Sequence, residues 1–193
     1  MITQVLEFLI DTVSGFFVFL LLARFHFQWL RVPFRNQAGE FVIALTNWMV
    51  MPARRVIPGV AGLDLPTFLL AWIVQAATLA VIYALRGYEF SDVFSAGILF
   101  GLALFDLLRF SLYILIFALV MQAVLSWTNP HSSLSAIFDA MVRPFLRPVR
   151  RFVPPISNID LSPLVLLVLL QVLLIPLAYG RALAAGLMIA GLT

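Results

Sequence analysis

The stretch PARRVIPGVAGLD at residues 52–64 returns as PVRRFVPPISNID at residues 148–160, and this echo decides the fold. Each copy holds an arginine doublet between prolines, followed by an aspartate. The first is Pro52, Arg54, Arg55, Pro58 and Asp64; the second is Pro148, Arg150, Arg151, Pro154 and Asp160, 96 residues on. The same offset continues without a gap to pair Leu70 with Leu166, Gln75 with Gln171 and Tyr83 with Tyr179. Register held across both a charged loop and an apolar stretch marks one duplicated unit.

On either side of each copy the chain is apolar over lengths near 20 residues, enough to cross a bilayer. Four spans are expected: Val5 to Leu30, Leu65 to Leu85, one within Ala103 to Trp127, and Leu161 to Tyr179. The second is the cleanest, with no charge between Asp64 and Arg86, whereas Asp11 and Arg24 fall within the first. Composition agrees. The chain is 63% hydrophobic and 11% charged, with mean hydropathy +1.08. A soluble domain carries roughly 25% charge. The fold class is therefore an all-α membrane protein of four transmembrane helices, arranged as two helical hairpins. Residues 1–88 form the first repeat, 89–102 a connector, and 103–193 the second repeat with a short apolar tail.

All twelve basic residues are arginine. Arg31, Arg35, Arg54 and Arg55 follow span one, and Arg143, Arg147, Arg150 and Arg151 follow span three. The connection between spans two and three has Arg86 against Glu89 and Asp92. The positive-inside rule then puts both arginine loops in the cytoplasm and both termini outside it, so the repeats are parallel. Arginines beside apolar segments argue against nucleic acid as a partner. No cleavable signal is expected, because Glu7 and Asp11 occupy the region where a signal peptide carries positive charge.

The arginine loops carry helical patterns of their own. In the second, Leu134, Ile137, Phe138, Met141 and Phe145 share a face opposite Ser135, Asp139 and Arg143, with Ser132 or Ser133 as N-cap. In the first, Phe41, Leu45, Trp48 and Met49 do the same, though Val42, Ile43 and Val50 blur the polar side. Both are too short to span and suit an interfacial or re-entrant position. Pro52 is expected to end the first, and Pro144 and Pro148 the second. Val93 to Leu102 and Ala182 to Leu192 have no counterpart under the repeat. Joined to span three, the former would make a helix of about 50 Å, so a break near Gly97 or Gly101, or an interfacial start, is expected.

Candidate sites follow from charge and depth. Arg54, Arg55, Arg150 and Arg151 are placed to meet anionic lipid headgroups or a membrane-protein partner. On the other reading they are topological anchors paired with Asp64 and Asp160. Arg24 and Gln28 share a face of span one, with His26 to the side; Arg24 either snorkels, faces the bundle, or serves transport. Asp106 and Arg109, three apart, are expected to pair locally. Gln75, Gln122 and Gln171 suit bonds between helices. His26 and His131 are far apart and lack carboxylates at ligand spacing, so no metal site is read. Without cysteine there is no thiolate ligand or redox motif. No nucleotide, hydrolase or zinc-protease motif is present, so neither catalytic residues nor a cofactor are expected. Gly59 and Gly62 read as a proline-flanked turn.

The duplicated unit, Leu20-Leu21-Leu22-Ala23-Arg24-Phe25 in span one, and Pro52-x-Arg54-Arg55-x-x-Pro58 before span two resemble the YggT family of small bacterial membrane proteins. The resemblance covers nearly the whole chain. The second copy departs from it where Arg24 gives way to Val120, and where Pro66 is answered by Pro163, one residue late. The resemblance implies an inner-membrane protein associated with osmotic-stress tolerance and cation balance. Plastid relatives are tied to haem attachment in cytochrome assembly and to nucleoid organisation, and Gram-positive relatives sit beside cell-division genes. It carries over no catalytic residue. Two functions are therefore expected to compete: a non-enzymatic scaffold or assembly factor working through its arginine face, and an ion channel or transporter that would need a homo-oligomer.

Overall fold

The computed structural model describes residues 1–32, 36–59, 62–88, 93–153 and 160–191. Arg35, Glu89, Asp92, Pro154 and Leu192 lie outside the described residues. The helices, in order, are α1 Ile2–Trp29, α2 Gln37–Val56, α3 Leu65–Leu85, α4 Val93–Thr128, α5 Ser133–Phe152 and α6 Ser162–Gly191.

Their ends are set by local chemistry. Asn36 caps α2 by accepting a bond from Gly39 N at 2.8 Å, and Ser132 caps α5 by accepting from Ser135 N at 3.1 Å. The two caps are 96 residues apart, so the duplication reaches the level of a single hydrogen bond. The C-terminus of α3 turns on Gly87, whose φ of +85° lets Tyr88 N donate to Tyr83 O at 3.1 Å. The end of α1 makes the same turn on Arg31 (φ +55°), with Val32 N donating to Phe27 O at 2.8 Å.

Four helices, α1, α3, α4 and α6, are long and apolar enough to cross a membrane. They form two hairpins, α1 with α3 and α4 with α6, joined mainly through α3 and α4. Where apolar lipid surrounds the bundle, close packing of small residues holds helices together. Ala23, Ala71 and Ala118 are accordingly buried beside Val18, Leu21 and Leu22. At Gly180 a Cβ would sit 2.8 Å from Phe105 Cε1, so the ring packs on bare backbone between α4 and α6.

Three expectations are corrected. First, α4 does not break: it runs through Gly97 and Gly101 for 36 residues, about 54 Å at 1.5 Å per residue. The reason is packing. Leu99, Leu102 and Ala103 bury against Ala76 and Leu79 of α3 and against Met188, which belongs to an unbroken α6. The two segments without counterparts are therefore each other's partners. Second, the prolines do not end their helices: Pro52 lies inside α2, and Pro144 and Pro148 lie inside α5. Their fixed φ is helical, and all three are exposed, so neither ring nor missing N–H falls in the core. Third, the buried side of α2 is Val42, Thr46 and Val50, while Phe41 and Trp48 face outward. In α5, Ile137 and Met141 are buried as expected, joined by Val142, Leu146 and Val149, but Leu134 is exposed.

Neither short helix sits on the end of its hairpin. Trp48 packs edge-on against Phe17 at 6.1 Å, and Phe17 lies about 16 Å along α1 from Gln28. Phe138 meets Phe117 at 5.8 Å, about 15 Å along α4 from Trp127. Each therefore leans along the depth of its own bundle half.

Candidate functional site

The arginine-bearing end of the first hairpin is a closed web. Asp64 precedes the first turn of α3 and is buried. It accepts from Arg54 Nη2 at 2.6 Å, from Arg54 Nε at 3.3 Å and from Thr67 Oγ1 at 2.5 Å. Arg54 Nη2 also donates to Gln28 Oε1 at 3.1 Å, tying α2 to α1. Beside it, Arg24 is buried, and its Nη1 donates to Thr46 Oγ1 at 2.8 Å and Asn47 Oδ1 at 3.0 Å. Arg24 thus faces the bundle and does not snorkel, because α2 supplies oxygen acceptors at its own depth. Burial pushes the Asp64 carboxyl up, but the Arg54 and Thr67 bonds and the charges of Arg54 and Arg24 outweigh it and hold it below its ordinary value.

The second hairpin repeats the pair but not the web. Arg150 Nε lies 3.0 Å and Nη2 2.9 Å from Asp160 Oδ2, and Ser162 N donates to Asp160 Oδ1 at 3.0 Å. Burial pushes Asp160 up, while the Ser162 bonds and Arg150 bring it below its ordinary value. Where the first hairpin has Arg24 and Gln28, the second has Val120 and Val124. These line a cavity of about 850 Å³ between α4 and α6, with Gln122, Trp127, Arg150 and Asp160. Gln122 does not bridge helices as expected: its Oε1 is buried without a partner.

Within each doublet the two arginines differ. Arg54 and Arg150 are engaged by their aspartates. Arg55 and Arg151 are exposed, as is Arg147, and have no acidic partner among the described residues. Arg143 pairs with Asp139 one turn away on α5.

The opposite end of the bundle holds what sequence spacing missed. Glu7 of α1 binds Arg86 after α3 at 2.9 Å, and Asp106 of α4 binds Arg181 of α6 at 2.5 Å. Each hairpin is thereby closed at this end by an acid on its first helix and an arginine that follows α3 in one case and lies within α6 in the other. Gln75 Nε2 donates to Asp106 Oδ2 at 3.1 Å, linking α3 to α4 as expected of an intramembrane amide. The expected Asp106–Arg109 pair does not form, since Arg181 and Gln75 occupy Asp106. Arg109 instead lies with its Cζ 6.0 Å from the Tyr113 ring centre, its Nε buried and unpartnered. These groups line a cavity of about 520 Å³ between the hairpins, together with Asp11 and Tyr83. Donating Nε and Nη2 to the Glu7 carboxylate raises the Arg86 guanidinium above its ordinary value.

The remaining residues singled out do not converge. Gln171 is exposed on α6. His26 Nδ1–H donates to Leu22 O at 2.7 Å and packs against Phe25 and Trp29, while His131 is exposed. Among the described residues no cluster of three or more potential metal ligands is present.

Comparison with known proteins agrees with this architecture. The CCB3/YggT family model matches residues 3–85 and again 101–179, one match per hairpin. A Vibrio alginolyticus protein of the proC 3' region is 32% identical over 86% of this chain and 89% of its own length. YggT of Escherichia coli K12 is 31% identical over 87% and 86%. PA0392 of Pseudomonas aeruginosa is 27% identical over 81% and 80%. No solved structure matches. Two family matches falling on two hairpins, each closed by the same arginine–aspartate pair, leave one assignment: the chain belongs to the CCB3/YggT family.

Proposed function

We propose that this chain is a non-enzymatic inner-membrane protein that organises its surroundings by holding anionic headgroups at a duplicated arginine face. The carrying observation is the division of labour within each doublet. Arg54 and Arg150 brace the short helices to Asp64 and Asp160, which leaves Arg55 and Arg151 exposed at equivalent positions, with Arg147 beside the latter. Each basic group at a cytoplasmic leaflet contributes roughly 1 kcal/mol of attraction. Exposed Trp29, Trp127 and Phe152 at the same end suit the headgroup level, and the apolar cavity between α4 and α6 ends at Arg150. By the positive-inside rule this face is cytoplasmic and both termini are periplasmic. A role in osmotic-stress tolerance extends the reading from what the family resemblance implies. The two-repeat division at residues 1–88 and 103–193 belongs to the same proposal, although residues 93–102 are continuous with α4.

One triple variant and two readouts test this reading. The triple variant Arg55→Gln, Arg147→Gln, Arg151→Gln is reconstituted in nanodiscs, and enrichment of phosphatidylglycerol around it is measured beside complementation of a deletion strain under osmotic stress. Loss of both with normal insertion supports the reading. Full complementation with unchanged enrichment would sink it. Lost complementation with unchanged enrichment would replace lipid by an acidic protein partner.

An oligomeric channel or transporter for cation balance is the second reading, favoured by polar clusters at both ends of the bundle. Between them Val18, Leu21, Ala71 and Ala118 are buried in one apolar core. Conduction through one chain would have to part these side chains, so this reading places the pathway between copies. Potassium or sodium flux through the protein in liposomes would turn the preference to it.

A further inference from the structure

We propose that the cavity between α1, α3, α4 and α6 is a binding site for a small zwitterion, its anionic end on Arg109 and its cationic end on Asp11. The cavity opens to the outside at one side and is rich in charge. The cavity is lined by three carboxylates, Glu7, Asp11 and Asp106, and three guanidinium groups, Arg86, Arg109 and Arg181. Two of each are matched: Glu7 with Arg86, and Asp106 with Arg181 and Gln75.

What remains is one cation and one anion on facing helices. Arg109, on α4, makes no hydrogen bond among the described residues, and its Nε is buried. Burying such a donor without an acceptor costs about 1–3 kcal/mol, so the site is incomplete as it stands. Asp11, on α1, likewise makes no side-chain hydrogen bond and no ion pair among the described residues, and it lines the same cavity. A simple anion would satisfy Arg109 but face three carboxylates. A simple cation would satisfy Asp11 but face three arginines. A molecule carrying both charges answers each without disturbing the two existing pairs.

Size and chemistry agree. About 520 Å³ falls within the roughly 300–1,000 Å³ typical of small-molecule sites. Tyr83 offers a hydroxyl, and Leu79, Ile82 and Phe110 offer an apolar wall for a short methylene chain. The guanidinium of Arg109 can take a carboxylate through two parallel bonds, a geometry that favours carboxylate over chloride. The cavity lies at the opposite end of the bundle from the arginine doublets, so this site is independent of the headgroup reading.

The experiment uses the full chain in dodecylmaltoside or nanodiscs. Binding is followed by calorimetry and thermal shift with glycine, β-alanine, γ-aminobutyrate and ε-aminocaproate, and with acetate and methylammonium as half-molecules. The expected result is saturable binding that peaks at one chain length and exceeds both half-molecules. Arg109→Gln and Asp11→Asn should each weaken it by about tenfold or more, the equivalent of about 1.4 kcal/mol. Asp11 is exposed, so Asp11→Asn keeps the test decisive if Arg109→Gln disturbs folding. Binding of acetate as tight as any zwitterion, binding unchanged in Asp11→Asn, or no saturable signal with any of the four amino acids would each overturn the proposal.

Discussion

Asp64 and Asp160 are equivalent under the repeat, yet replacing each by asparagine should have very different consequences. The Asp64 side chain is 2% exposed against 39% for Arg54, whereas Asp160 and Arg150 are 37% and 48% exposed. Removing one partner of a buried pair costs about 3–5 kcal/mol, because the other charge is left unmatched. Arg54 can turn partly to solvent, which places Asp64→Asn near the lower end, about 3 kcal/mol. The buried Arg24 alongside loses a neighbouring negative charge as well. An exposed pair contributes about 0–1 kcal/mol, so Asp160→Asn should cost no more than that. Asparagine keeps an acceptor for Thr67 in the one case and for Ser162 N in the other, so charge is isolated from shape. Reversible unfolding in mixed dodecylmaltoside and dodecyl sulphate micelles reads both free energies on one scale. Adding Arg54→Gln to Asp64→Asn should recover part of the loss, since it removes the unmatched charge. Equal costs for the two aspartates, or strict additivity of Arg54→Gln with Asp64→Asn, would refute the reasoning.

Three further outcomes follow from the same contacts. Because Asp64 and Asp160 are held below their ordinary values when folded, their contribution is complete above the unfolded carboxylate value, near pH 4. It is lost as pH falls through the folded values, so stability should decline in acid, and Asp64→Asn should flatten that decline in unfolding titrations. Gln75→Leu should cost roughly 1.5–3 kcal/mol by leaving Asp106 short of a donor, while Gln171→Leu, exposed on α6, should be neutral in the same assay. Met188→Ala should cost about 2–5 kcal/mol, read as a lower unfolding midpoint, because Met188 fills the core between α3, α4 and α6. An unchanged midpoint would show that the end of α6 packs on nothing that matters.

What could be read from the chain was what is local or repeated. The doublets and their aspartates lie ten residues apart, within one loop, so their pairing follows from spacing. Ser132 or Ser133 marks a helix start by its position before an apolar pattern, and Ser132 is the cap. Distance in sequence hid the rest. Asp106 and Arg181 are 75 residues apart, and i,i+3 spacing points to Arg109 instead. The inward face of α2 was misjudged for a reason particular to membranes. Large aromatic residues such as Phe41 and Trp48 lose nothing by facing lipid, whereas Val42, Thr46 and Val50 allow backbones to approach. Hydrophobic size, a reliable guide to the inside of a soluble protein, therefore pointed outward. Length alone suggests a break near Gly97 or Gly101, and it does not occur because Leu99, Leu102 and Ala103 pack against neighbouring helices through that stretch.

The differences between the repeats bear on function as much as their likeness. Under the 96-residue offset Arg24, Thr46 and Asn47 become Val120, Val142 and Arg143. In the second hairpin Arg143 turns to Asp139 on its own helix, and the space next to Val120 stays open as the cavity ending at Arg150. The first hairpin spends its polar groups on closing that end, for every donor of Arg24 that is seen to bond meets an oxygen of α2. A buried arginine so satisfied is a brace, and an ion or ligand would have to displace two protein bonds to reach it. The elements kept in both copies are the paired aspartate and the exposed second arginine. A surface used twice must be reachable twice, and Arg55 and Arg151, exposed and without an acidic partner among the described residues, meet that condition at this end of the bundle. Arg109 has no such twin, since the equivalent position is Val13. A duplicated unit thus presents one face in two copies and one cavity in a single copy, and the two call for separate partners.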